Sequence, residues 1–198
     1  MNLLIRIAKE DDAEELLKIY SYYVKNTAIT FEQKVPSLEE FSNRIKETLI
    51  NYPYLVAIVD GKIIGYIYAS RFRTRESYIC SAATSIYIEK SYQRKGIGKK
   101  LYSELCNILL KQNITNVYAG AADPIEEDEY LTHNSEYFHK SMGFEIVAKY
   151  NKCAIKFGKW YNLIEMEKII GEHSNQQKDF IPFKSLEKNF LCRNNFAK

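Results

Sequence analysis

Neither cysteine nor histidine is plentiful or patterned. The four cysteines, Cys80, Cys106, Cys153 and Cys192, form no C-x-x-C pair, and the three histidines complete no zinc spacing. No metal is expected, and the thiols read as reduced and mostly buried in a cytoplasmic protein. No apolar run approaches the roughly 18 residues of a membrane span. Residues 1–7 are too short for a signal core and run directly into Glu10, Asp11 and Asp12. Charge of one sign is lacking as well. The 28 basic and 25 acidic residues nearly balance at a formal +3, which argues against a nucleic-acid partner. Two phosphate motifs, G-x-x-x-x-G-K-[ST] and G-x-G-x-x-G, do not occur, which removes a P-loop and a dinucleotide fingerprint.

Aromatic residues are abundant: 16 tyrosines and 10 phenylalanines, with a single tryptophan. At that density they serve the core first and a ligand pocket second. With 46% apolar residues in 198, one domain can bury a sizeable core. Leu3–Ile7 reads as a strand. Asp11 or Asp12 can cap a helix whose apolar stripe is Ala13, Leu16, Leu17, Tyr20 and Val24. Ser37 and Glu40 form a capping box for a second helix with stripe Leu38, Phe41, Ile45 and Leu49. Asp60-Gly61 joins two apolar runs, Tyr54–Val59 and 62–70, as a hairpin whose faces are both covered. Strands are predicted at 84–88, 116–120, 144–150 and 163–168. Helices are predicted at 98–112 and 135–142, the latter ended by Gly143. This order predicts one α/β domain over 1–171, with a mixed sheet of six to seven strands flanked by helices. After Gly171 the periodicity fades, which predicts a weakly structured tail over 172–198 with a short helix near 185–190.

The segment Gln93-Arg94-Lys95-Gly96-Ile97-Gly98 follows a strand and opens a helix. The first N–H groups of a helix have no internal partner, the dipole adds positive charge, and glycines allow close approach. Gln93, Arg94, Lys95 and Lys99 add donors, so the segment suits an anion such as a phosphate.

In that setting Q-x-x-G-x-G resembles the acetyl-CoA motif of the GNAT superfamily of N-acetyltransferases. IRIAKEDDAEELLKIY at the start, ITFE at 29–32, SIYIEKSYQRKGIGKKLY, FHKSMGF at 138–144 and KFGKWYNLIEMEK at 156–168 narrow the resemblance to the phosphinothricin N-acetyltransferase branch, over about residues 3–170. The resemblance implies a GNAT-like fold and acetyl transfer from acetyl-CoA to the amine of a small amino-acid-like molecule. It also implies a homodimer. By the same resemblance, Arg94 to Lys99 receive the pyrophosphate, the splayed strand Ile86-Tyr87-Ile88 pairs with the pantetheine arm, and Asn134 or its neighbour Ser135 meets that arm. Asn134 also reads as a helix cap. His139 stands where the superfamily often carries a tyrosine near the departing sulfur. It reads either as a proton donor or as a helix histidine packed on the sheet.

A primary amine is protonated at neutral pH and must lose a proton before it attacks a thioester. The branch usually places a glutamate just before the strand, and Ala83 stands there. Glu32, Glu76 and Tyr87 are the candidate bases that remain, and water alone suffices for an acceptor of low pKa. On the acceptor side the resemblance places Phe31, Glu32, Tyr66, Arg71, Phe72 and Arg73, with Arg71 or Arg73 available for a carboxylate. Trp160 fits the core, the acceptor side or a dimer contact. Two other readings stand beside this one: an acyl-CoA-binding protein with little catalysis, supported by Ala83 and the tail, and a peptide or protein N-acetyltransferase.

Overall fold

The structure, a computed structural model, describes residues 2–186. Its elements in chain order are β1 (Leu3–Ile7), α1 (Ala13–Asn26), α2 (Leu38–Asn51), β2 (Tyr54–Val59), β3 (Lys62–Arg71), β4 (Ser81–Ile88), α3 (Ile97–Lys111), β5 (Asn116–Asp123), α4 (Asn134–Ser141), β6 (Glu145–Lys156) and β7 (Lys159–Ile169). Among the described residues no helix is long and apolar enough to cross a membrane.

Local chemistry accounts for most boundaries. The Ser37 hydroxyl accepts from the Glu40 amide at 3.1 Å and starts α2. Asp12 does not cap α1 as expected. Its carboxylate instead binds Arg6 at 2.6 Å and the Lys9 amide at 2.8 Å, fastening β1 to the start of the helix. Asp60 and Gly61 take φ of 50° and 79°, the left-handed pair of a two-residue hairpin turn, and Phe157 and Gly158 repeat it at 51° and 75°.

The strands form one sheet in the order β1-β2-β3-β4-β5-β7-β6. Only β4 and β5 are parallel, with α3 as the crossover that parallel neighbours need. Side chains alternate between the faces. Tyr54, Val56 and Tyr66 pack under α1 and α2 with Leu16, Tyr20, Phe41 and Ile45. Leu55, Ala57, Ile67 and Ala82 pack under α3 with Leu101, Leu105 and Leu109. Edge strand β6 runs six residues past the predicted end at 150, because it is exposed on both sides and carries little apolar periodicity.

The tail departs from expectation. Phe183 is fully buried in the α3-side core, and Phe180 packs against it and lies over Tyr52. Ile181 and Gln112 exchange backbone and side-chain hydrogen bonds, and the Asn113 amide group donates to the Asp179 carbonyl at 2.6 Å. Two aromatics spaced three apart gave too little periodicity for the sequence to show this docking. The helix expected near 185–190 lies mostly outside the described residues.

Candidate active site

The parallel pairing of β4 with β5 stops at Thr84 and Ala119. Beyond that point β4 stays on β3 as far as Ile88, and β5 stays on β7 as far as Asp123. The two strands therefore splay, and residues 85–88 face 120–123 across a wedge. Antiparallel alternation fixes which backbone groups line it. The Glu89 amide donates to the Ile64 carbonyl at 2.8 Å, so 87 and 89 pair with β3 while the N–H and C=O of 86 and 88 point into the wedge. Of the three strand residues expected at the pantetheine arm, Tyr87 thus offers no backbone group. Those of Ile88 are met by the Tyr23 hydroxyl, which donates to the carbonyl and accepts from the amide at 3.3 Å. Ile86 is the remaining member of the three.

At the mouth of the wedge, the amides of 97–99 precede the first intrahelical bond of α3, from Lys100 to the Gly96 carbonyl. Gly96, with φ 79°, turns the chain into the helix, and Arg94 is also left-handed at 59°. Gly98 has a packing task as well. A Cβ there would lie 2.9 Å from the Phe138 ring, so this glycine lets α4 pack on α3. The Gln93 side chain turns inward to the Tyr23 hydroxyl at 2.9 Å and braces β4. Arg94 reaches Asn134 at 3.0 Å and ties the loop to α4, while Lys95 lies over the Tyr92 ring. Lys99 is exposed beside them.

His139 is buried behind β4, on the α3 face. Its Nδ1 donates to the Ser135 carbonyl at 2.7 Å, and its Nε2 lies 2.9 Å from the Tyr102 hydroxyl. A carbonyl only accepts, so the proton sits on Nδ1 and Nε2 accepts from Tyr102. Burial holds the imidazole below its ordinary pKa, in the neutral form. The proton-donor reading of His139 is therefore replaced by the packed-helix reading, because neither nitrogen is free to donate to a sulfur.

The opposite face carries Tyr66, Tyr68 and Ser70 of β3 opposite Tyr87, Ser85 and Ala83 of β4. Tyr87 is packed among Tyr20, Tyr23 and Tyr66, and burial pushes its hydroxyl well above the usual range. It stays protonated and is not a base. Glu32 is ion-paired to Arg44 at 2.7 Å. Phe31 packs with Ala28, Ala122, Leu131 and Tyr161 at the far end of β5. Arg71 pairs with Ala82 and so lies on the α3 face, where its charge acts on Tyr52. Strand β3 ends at Arg71, and the bend that follows carries Arg73, with which the sequence grouped it, to the other face. Glu76 is exposed in a short turn after β3, and Trp160 is 53% exposed on β7.

Three residues not foreseen complete this face. The Phe72 ring stacks on Tyr118 of β5 at 3.8 Å, and Tyr118 donates to Glu167 of β7. Arg73 reaches Glu165 of β7 at 3.5 Å. The available signal was the E-x-E alternation in LIEMEK, which puts both carboxylates on one face, although the neighbouring strand was not legible. Lys156 is likewise buried. Its ammonium donates to the Thr30 carbonyl at 2.6 Å and joins KFGKW to ITFE, and burial lowers its pKa. The acidic loop is pinned down: Asp128 accepts from the Tyr130 and Leu131 amides and from the Tyr161 hydroxyl. Among the described residues Asp123, His133 and Glu136 bring ligand atoms within 4.8 Å of one another. Lys149 and Lys140, at 2.8 and 2.6 Å, already balance those two carboxylates.

A family model described as an acetyltransferase (GNAT) domain matches residues 5–165. A phosphinothricin N-acetyltransferase of Streptomyces coelicolor is 28% identical over 168 residues, covering 83% of this chain and 94% of that protein. An L-methionine sulfoximine/L-methionine sulfone acetyltransferase of Salmonella typhimurium is 27% identical over 87% of this chain and 97% of its own. The crystal structure of a GNAT superfamily phosphinothricin acetyltransferase from Sinorhizobium meliloti, in complex with acetyl-CoA, superposes with a TM-score of 0.80 at 28% identity, covering 92% of this chain and 99% of that one.

Proposed function

The chain belongs to the GNAT acetyltransferase family, and from that premise we propose that it moves acetyl from acetyl-CoA to the primary amine of a small amino-acid-like acceptor of the phosphinothricin or methionine sulfone type. The observation that carries the reading is the β4–β5 wedge opening onto the α3 N-terminus. One end offers unpaired amides and basic side chains for a pyrophosphate, and the wedge offers the Ile86 backbone for an extended amide-bearing arm. Arg94 and Lys99 would hold the pyrophosphate, and Asn134, already bound to Arg94, would close over the arm with Ser135 beside it.

Acetyl-CoA supplies an activated acyl group with a good leaving sulfur. The acceptor ammonium loses one proton, the freed nitrogen bonds to the carbonyl carbon, and a second proton leaves nitrogen as the C–S bond breaks and CoA leaves as the thiolate. No cysteine is needed as nucleophile, which fits Cys80 and Cys106, whose thiols burial holds above their ordinary pKa. Such a reaction also fits the cytoplasmic placement expected of the chain. The exposed apolar residues of the β6–β7 hairpin, Val147, Tyr150, Ile155 and Trp160, support the homodimer expected from the resemblance.

The test is free-thiol release from acetyl-CoA over phosphinothricin, methionine sulfone, a polyamine and a peptide N-terminus. Turnover of an α-amino acid analogue well above the hydrolysis background is expected. Binding of acetyl-CoA with no turnover on any amine would instead leave an acyl-CoA-binding protein.

A further inference from the structure

The residue that takes the acceptor's proton is not at position 83, where only a methyl group stands. The register shows what shares its face. Ala83 lies beside Tyr118, and Tyr118 lies beside Glu167. One step further into the wedge, Gly120 lies beside Glu165. A Cβ on Gly120 would meet only Leu163, at 3.7 Å, so nothing on β5 covers the space into which the Glu165 side chain can lean.

A second observation fixes where that carboxylate sits. Arg73 follows the end of β3, and Glu165 is on β7, roughly 14 Å away at three strand spacings. Their contact at 3.5 Å can be made only above β4 and β5. Phe72, stacked on Tyr118, marks the same path across the sheet. The Glu165 carboxylate is thus held over the lip of the wedge, 23% exposed, by two long contacts of 3.5 Å to Arg73 and the Tyr150 hydroxyl.

Two other carboxylates near this site are committed. Glu167 accepts from Tyr118 and from Asn116 and is held below its ordinary pKa. Glu32 is paired with Arg44 at 2.7 Å. A guanidinium and a carboxylate loosely paired at the wedge are also complementary to a zwitterion, whose own carboxylate and ammonium are a few bonds apart.

We propose that Glu165 is the general base of the transfer and Arg73 the anchor for the acceptor's carboxylate, a proposal that rests on the acetyltransferase reading above. The acceptor's carboxylate takes Arg73, and its ammonium gives one proton to Glu165, which frees the nitrogen lone pair. Glu165 passes that proton to solvent, the amine bonds to the thioester carbon, and Glu165 takes the second N–H proton as the C–S bond breaks and the thiolate leaves. A glutamate at 83 would crowd a third anion onto the face of Glu165 and Glu167, so the alanine agrees with a base supplied from β7.

The experiment compares parent, Glu165→Gln and Glu167→Gln on an amino-acid acceptor, with acetyl-CoA affinity measured by calorimetry and folding by thermal melting. Glu165→Gln is expected to lower kcat/KM by about 10²–10⁴-fold near pH 7 with acetyl-CoA affinity unchanged. A Glu167→Gln deficit as large and as pH-dependent as that of Glu165→Gln would overturn the assignment of the base to Glu165. The pH profile separates a base from a prop. Parent kcat/KM should be flat from pH 6 to 9, whereas Glu165→Gln should climb about tenfold per pH unit as the free amine fraction grows. A Glu165→Gln enzyme within threefold of parent, or one whose deficit is the same at every pH, overturns the inference alone. A parent inactive on every amine overturns the acetyltransferase reading, and the inference with it.

Discussion

At the residue scale, two side chains change meaning between sequence and structure. His139 sits in a helix where the superfamily resemblance made it a candidate proton donor, yet its two nitrogens are spent on Ser135 and Tyr102. Its pKa is lowered by burial, so folding favours the neutral form. The sign of the linkage follows. Above the unfolded pKa of about 6.5 neither state binds the proton and the full stability is present. As pH falls below that value the unfolded chain takes up a proton that the folded chain refuses, and stability declines toward the depressed folded pKa. Urea unfolding from pH 7.5 to 5 should show this decline in the parent. His139→Gln should be less stable at pH 7.5 but should lack that part of the slope. An unchanged slope in the variant would show that other groups cause it. Tyr23 is the second case. The apolar stripe read for the first helix left it out, but it is buried and its hydroxyl binds both backbone groups of Ile88 and the Gln93 amide.

At the scale of elements, the chain after β7 is the main departure. Residues 172–186 were expected to be loosely attached, but Phe183 fills the α3-side core and Ile181 pairs with Gln112. Truncating a fully buried phenylalanine typically costs 3–5 kcal/mol. Phe183→Ala should therefore lower the unfolding free energy of the whole domain by about 3–5 kcal/mol, read as a lower urea midpoint at unchanged slope. A loss below about 1 kcal/mol would show the segment to be dispensable. The β6–β7 hairpin differs for another reason. Strand β6 borders solvent on both faces, so its residues do not alternate in hydropathy, and its reach to Lys156 was not legible.

At the scale of the whole molecule, the apolar surface left on that hairpin is the place to look for self-association. Val147, Tyr150, Ile155 and Trp160 are each at least 43% exposed. Light scattering is expected to show a dimer for the parent and a monomer for Trp160→Glu, since a buried unpaired carboxylate is costly at an interface. A parent that runs as a monomer at tens of micromolar would end the dimer reading.

Sequence by itself determined the fold class and most elements: the Asp60-Gly61 hairpin, the helical stripes and the turn at Gly96 that opens α3. These depend on local chemistry, on periodicity and on φ values that few residues allow, and all of it is written in neighbouring positions. It also determined that Ala83 cannot accept a proton. Tertiary structure alone decided which residues share a face above the wedge. Arg71 and Arg73 are near neighbours in sequence but lie on different sides, and Arg73 meets Glu165, a partner 92 residues away. Such meetings depend on strand order and register, which a parallel crossover sets through packing of the whole sheet. The sequence therefore shows that residue 83 accepts no proton, and only the folded sheet shows that Glu165 and Arg73 meet above β4 and β5.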